Sequence, residues 1–147
     1  MIGIDTSFLV GLAVREHPLH PACWDLFESE MRGRDGSMAL AAQVLAEFAH
    51  VVTDPRRFER PLEMQDALEL CEQWWIAQEC RPVHVDSEAG ALFLAWMDRF
   101  RLGRKRLLDT LLAASYHCAG VQRIATTDWR DSKVYGVFEI VRLEPSE

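Results

Sequence analysis

Four carboxylates hold positions from which they could act together: Asp5, Glu47, Asp109 and Asp128. Asp5 closes the apolar run Met1, Ile2, Ile4, and Asp128 closes the run from Arg123 to Thr127. Glu47 lies on the flank of an apolar helical face, beside Val44 and Val51. Asp109 lies in the first turn of a predicted helix, at the edge of the stripe Leu108, Leu111, Leu112, Ser115, Ala119. Each acid also has a plainer reading. Asp5 can simply cap a helix, Glu47 can be a solvated helical residue, Asp109 can favour a helix N-terminus, and Asp128 can begin a turn. All four are nevertheless consistent with one sheet edge. Carboxylates gathered there repel one another, and a divalent cation removes that repulsion. Oxygen donors without His or Cys suit Mg²⁺ or Mn²⁺ better than Zn²⁺.

The elements that must position these acids follow from the hydrophobic pattern. Ile2–Ile4 reads as a buried strand, Asp5-Thr6-Ser7 as the cap of a helix, and Phe8–Val14 as that helix, stopped near His17-Pro18. Helices are predicted over 22–32, over 42–53, from Pro61 through Ile76, from Asp86 or Ser87 to about Leu102, and over 108–119 with Gly120 as its C-terminal cap. Strands are predicted over 37–41, 82–85, 123–127 and 138–143. Short apolar strands alternating with helices predict a three-layer α/β/α sandwich on a parallel sheet, a single domain over residues 1–147.

Composition narrows the class. Hydrophobic residues are 49% and charged residues 27%, a globular mix, and no apolar run approaches the ~18 residues of a membrane span. Asp5 and the missing basic leader argue against a signal peptide, so a cytoplasmic protein is expected. Cys23, Cys71, Cys80 and Cys118 form no C-x-x-C pair and read as reduced, partly buried thiols. A net charge of −7 disfavours a long nonspecific grip on nucleic acid, but acids that hold metal ions also inflate the negative count. His17-x-x-His20 with Cys23 suggests metal ligation only superficially, since Pro18 and Pro21 spoil helical spacing and no second pair follows. Trp74 and Trp75 cannot both face inward on one helix, so one is expected to mark an interface.

The motifs IDTSFLV, QVLAEF, RLLDTLLAASYHCAG and IATTDWRD, in that order, resemble those of PIN-domain ribonucleases, specifically VapC-type toxins of toxin–antitoxin pairs. The resemblance covers nearly the whole chain. It implies the sheet order 3-2-1-4-5, which would set the first and fourth strands side by side with Asp5 and Asp128 at the switch point. It maps the family's acids onto Asp5, Glu47, Asp109 and Asp128, and a strand-end hydroxyl onto Thr6 or Thr127. The fourth motif departs from the usual pattern by continuing Trp129-Arg130-Asp131, which makes Asp131 an extra or substitute ligand candidate.

What the resemblance implies for activity is Mg²⁺- or Mn²⁺-dependent hydrolysis of an RNA phosphodiester, leaving a 5′-phosphate and a 3′-hydroxyl. Asp5, Asp109 and Asp128 would be metal ligands, Glu47 would position water or accept its proton, and Thr6 or Thr127 would orient them. It also implies a homodimer and a small antitoxin protein bound in the cleft. Arg101, Arg104, Lys105, Arg106, Arg130 and Lys133 lie beside the third and fourth acids and either hold flanking phosphates or form a solvated basic turn. Two rivals compete. One is a catalytically silent PIN domain that binds protein. The other is a phospho-receiver domain, which normally needs an acidic pair in its first segment and a late lysine, both missing here.

Overall fold

The computed structural model describes residues 1–145. Its five strands are β1 (Ile2–Ile4), β2 (Met38–Ala41), β3 (Cys80–Val83), β4 (Arg123–Thr126) and β5 (Glu139–Arg142). They form one sheet in the order β3-β2-β1-β4-β5, every neighbouring pair parallel, which is the order that the resemblance implied. Ile2, Gly3 and Ile4 sit opposite Arg123, Ile124 and Ala125, so the residues following β1 and β4 leave the sheet together. The three inner strands are short and almost wholly buried, whereas β3 and β5 carry exposed residues at the edges. Pro82, with no N–H to donate, is tolerated in β3 because β3 is an edge.

The helices are α1 (Thr6–Ala13), α2 (His20–Leu26), α3 (Ala42–Val52), α4 (Met64–Ile76), α5 (Ser87–Arg99), α6 (Leu107–Cys118) and α7 (Trp129–Ser132). From β1 the chain steps outward to β2 and β3 through α1–α4, then crosses back to β4 through α5 and α6. With right-handed crossovers this reversal puts the two helix groups on opposite faces of the sheet and completes the expected sandwich. The main core joins Phe8, Leu9, Val44, Phe48 and Val52 to the strands, and a smaller cluster gathers Trp96, Ala113, Ala114 and Tyr135. Among the described residues no helix is long and apolar enough to cross a membrane.

Several boundaries differ from the sequence reading. The segment after α2 widens into a π-helical turn over Phe27–Met31, closed by Arg32 N–H to the Phe27 carbonyl at 2.8 Å. The fourth helix begins at Met64 rather than Pro61, because Leu62 N–H is taken by the Val52 carbonyl at 2.9 Å, which ties that stretch to the end of α3. The third strand lies over 80–83, not 82–85, since pairing with β2 rather than local propensity sets its register. The fourth ends at Thr126, so Asp128 stands two residues beyond the sheet. Trp74 and Trp75 are both half-buried against the main core, so neither is the outward-facing ring of the pair.

At the centre, one backbone approach depends on glycine. A Cβ on Gly3 would lie 2.9 Å from Cδ2 of Tyr116. The Tyr116 ring therefore reaches β1, and its hydroxyl donates to the Ile4 carbonyl while accepting the Ala41 N–H at 3.4 Å. This bond anchors the strand end from which Asp5 emerges.

Candidate active site

Asp5 has extended backbone and caps α1, with Oδ1 accepting the Phe8 N–H at 3.3 Å. The same side chain that caps the helix also lines the cleft. Oδ1 also accepts the Ser7 hydroxyl at 2.5 Å, and Oδ2 accepts the Thr126 hydroxyl at 2.5 Å. A carboxylate offers about four lone-pair directions, so three are taken and one on Oδ2 remains for a ligand. Part of the residue opens to the cleft, but protein atoms enclose the carboxylate. Burial raises its pKa to about 6, against the lowering effect of the Ser7, Thr126 and Phe8 donors, and the charge of Asp128 adds to the rise.

Thr126 extends the arrangement. Its Oγ1 accepts the Asp128 N–H at 3.0 Å while its proton goes to Asp5. One buried hydroxyl at the end of β4 thus connects Asp5 to the backbone of Asp128. The sequence reading placed the strand-end hydroxyl at Thr6 or Thr127. Thr6 and Thr127 line the outer cleft, whereas the hydroxyl bonded to Asp5 belongs to Thr126. Thr126 and Thr127 are adjacent and identical in type, and only the sheet register decides which one turns inward.

The cleft has two compartments. Asp5, Asp109 and Asp128 border both, Glu47 borders only the outer one, and Asp131 only the inner one. Burial raises the pKa of Asp109, and the charges of Glu47, Asp128 and Asp131 raise it further, partly offset by Arg106. All five acids therefore act within one electrostatic field. Among the described residues, however, no three His, Cys, Asp or Glu side chains are drawn tightly enough to hold a metal ion as they stand.

Arg106 stands apart from the basic residues grouped with it in sequence. It is half-buried and donates from Nη2 to the Asp131 carbonyl at 2.8 Å and to the Tyr135 hydroxyl at 3.2 Å, while Nη1 lies 3.7 Å from the Asp131 carboxylate. Tyr135 in turn shares a 2.8 Å bond with the buried Thr110 hydroxyl. This network fastens the α7 segment to α6. Arg101, Arg104 and Lys105 are exposed, as a solvated basic turn would be.

His17, weighed in the sequence only as a metal ligand, and Arg57, not singled out there, line the outer compartment together with the acids. His17 Nδ1 accepts the Leu19 N–H at 3.1 Å, which leaves the ring proton on Nε2. His20 lies 2.9 Å through Nδ1 from the Gly11 carbonyl, and Cys23 is buried, so the His-x-x-His spacing serves the loop leading into α2. Nothing in composition placed His17 or Arg57 at the cleft, because both reach it from loops.

The sequence matches the PIN domain family over residues 2–137. It is 32% identical over 146 residues to ribonuclease VapC24 of Mycobacterium tuberculosis, covering 92% of this chain and 95% of that protein. Among solved structures, the sarcin-ricin loop cleaving toxin VapC20 of M. tuberculosis superimposes with a TM-score of 0.73 at 20% identity, covering 97% of this chain and 99% of that one. VapBC2 of Rickettsia felis, solved on a DNA fragment from its promoter, gives 0.67 at 12% identity, covering 98% and 100%. The two structures speak for the fold, and the sequence kinship goes further: this chain belongs to the PIN-domain family, and within it to the VapC type.

Proposed function

We propose that this protein is a divalent-metal-dependent endoribonuclease, the toxin of a type II toxin–antitoxin pair. The observation that carries the reading is the shared wall of the cleft, where Asp5, Asp109 and Asp128 face both compartments. Mg²⁺ or Mn²⁺ fits the chemistry of that wall: its donors are carboxylate oxygens, two of them raised in pKa by burial and mutual repulsion, which a cation relieves. Asp5 would contribute its free Oδ2 direction, with Asp109 and Asp128 completing the protein ligands after side-chain rotation. The bound cation supplies charge neutralisation to the scissile phosphate and acidity to a nearby water.

The chain's own residues do the rest. Ser7 and Thr126 hold the Asp5 carboxylate in one orientation, and Thr126 carries that order to Asp128. Glu47, exposed at the outer rim, accepts the proton of the attacking water. That water forms the new P–O bond, the P–O3′ bond breaks, and the 3′ oxygen departs with the bonding pair and takes a proton from solvent water to become a hydroxyl, with the phosphate left on the 5′ side of the next nucleotide. Arg57 and the Nε2–H of His17 offer donors to phosphate oxygens across the cleft. Asp131, paired with Arg106, is a supporting residue of the inner compartment. Thr6 and Thr127 line the outer compartment.

The partners belong to the same reading: RNA as substrate, a small antitoxin covering the cleft, a second copy of the chain as homodimer, and the cytoplasm as the place of action. The test is cleavage of a cellular RNA pool by the purified chain, with sequencing of the new ends. Mg²⁺-dependent ends bearing 5′-phosphate are expected, abolished by chelation and by Asp109→Asn. A pool left intact in both Mg²⁺ and Mn²⁺ would overturn the proposal.

A further inference from the structure

Beyond the cleft, three cations converge on one indole ring. Trp129 follows Asp128 directly and is half-buried at the start of α7. The guanidinium carbon of Arg142, from β5, lies 3.7 Å from its ring centre, Nζ of Lys133 lies at 4.5 Å, and the guanidinium carbon of Arg130 at 4.9 Å. All three are within cation–π range. These distances confine the charges to within about 10 Å of one another, no more than the screening length at 0.1 M salt, so their repulsion survives in solution. Among the described residues none of the three pairs with a carboxylate. Asp131, only one residue from Arg130, is engaged by Arg106 instead. In a chain with 23 acidic and 16 basic residues, an uncompensated cationic cluster at one point needs a reason.

We propose that Trp129 is a positioning ring that holds Arg130, Lys133 and Arg142 as a subsite for a phosphate flanking the scissile bond of single-stranded RNA. The inference rests on the nuclease reading above and assigns part of its substrate path. Arg142 lies at stacking distance on the ring, so Trp129 is not a platform for a base on that face. Its work is to hold side chains that are otherwise mobile. Cations ordered before binding lose less conformational freedom when a phosphate arrives, which raises affinity without a new contact. The location agrees with this role. The cluster begins one residue past Asp128, which borders the cleft, and all three cations are exposed. An RNA strand leaving the acids toward β5 exchanges a repulsive wall for an attractive one.

The test uses the full chain and a short oligoribonucleotide that the parent cuts. In an Asp109→Asn background with Mg²⁺ present, affinity is measured across a salt series. Each phosphate contact on a single strand contributes about 0.7 to the slope of log affinity against log salt. Replacing Arg130, Lys133 and Arg142 together by Gln should reduce the slope by about 0.7, the share of the one phosphate they hold, and weaken binding at least ~10-fold at moderate salt. Trp129→Leu should leave the slope unchanged, because the charges remain, yet weaken binding about 3- to 10-fold, with Trp129→Phe recovering part of the loss. In the cleavage-competent chain, the triple variant should raise KM more than it lowers kcat, a split that a purely structural clamp between α7 and β5 would not give. An unchanged slope and KM in the triple variant, beside a parent that cuts RNA, overturns the subsite and leaves the nuclease reading standing. A parent that neither binds nor cuts RNA overturns both. If the triple variant binds RNA as the parent does but loses affinity for a poly-glutamate peptide, the cluster serves an acidic protein partner and the RNA proposal fails.

Discussion

Replacing Thr126 by Val keeps the shape of a residue only 3% exposed but removes the hydroxyl that donates to Asp5 and accepts from Asp128. A hydrogen bond to a charged group contributes about 1.5–3 kcal/mol, and one pKa unit corresponds to about 1.4 kcal/mol. Loss of this donor should therefore raise the Asp5 pKa by about one to two units above its present value of about 6. The sign follows from the donor's preference for the ionised carboxylate: without it, the proton is held more tightly. At pH 7 the ionised fraction would fall from roughly 90% to between about 50% and 10%, and proton competition alone should weaken divalent-metal binding about two- to tenfold. The Asp5 carboxyl can be followed by ¹³C NMR in metal-free protein, and Mn²⁺ affinity by calorimetry at several pH values. Thr126→Ser, which keeps the hydroxyl, should titrate like the parent. A Thr126→Val protein that folds and titrates at the parental pKa would refute the idea that this hydroxyl sets the charge of Asp5.

In metal-free protein, native Asp5 keeps its proton between the ordinary pKa of 3.8 and about 6, where the unfolded chain has lost it, so stability falls as pH rises through that window. Asp5→Asn should accordingly raise the unfolding free energy at pH 7.5 in chelator by at most ~3 kcal/mol, seen as a higher Tm, with the gain vanishing near pH 3.5; an equal gain at both pH values would contradict the burial argument. Asp128→Asn should lose more than about tenfold in single-turnover cleavage at saturating Mg²⁺, and Asp131→Asn less, because of these two only Asp128 borders both compartments and a displacement of ~1 Å can cost on the order of 100-fold. Single-turnover rates showing Asp131→Asn as the more damaging would move the fourth ligand to Asp131. Gly11→Ala places a Cβ 2.5 Å from Cys23 Sγ between α1 and α2, and denaturant unfolding should show a loss of about 1–3 kcal/mol, relieved by adding Cys23→Ala. Additive losses in that double variant would mean that the contact is not the cause.

The order of elements and the parallel sheet were legible in the sequence, because each rests on local pattern, and the four acids stood out there by position alone. Alternating buried strands and helices read directly from Ile2–Ile4, Met38–Ala41 and the helical stripes, and Asp5 announced itself by closing an apolar run. Segments whose limits depend on distant partners were placed less well. The third strand slid by two residues because its register is set by β2, and the helix expected at Pro61 starts at Met64 because the Val52 carbonyl claims Leu62. At the site the same division holds. Composition and spacing pointed to Asp5, Glu47, Asp109 and Asp128, but a side chain's use is decided by what surrounds it. Only the tertiary structure chose Thr126 over its identical neighbour, brought His17 and Arg57 into the outer cleft, turned Arg106 inward, and set Arg142 on Trp129 from a different strand. Each of those choices joins residues far apart in the chain, and contacts of that kind leave no period or spacing to read.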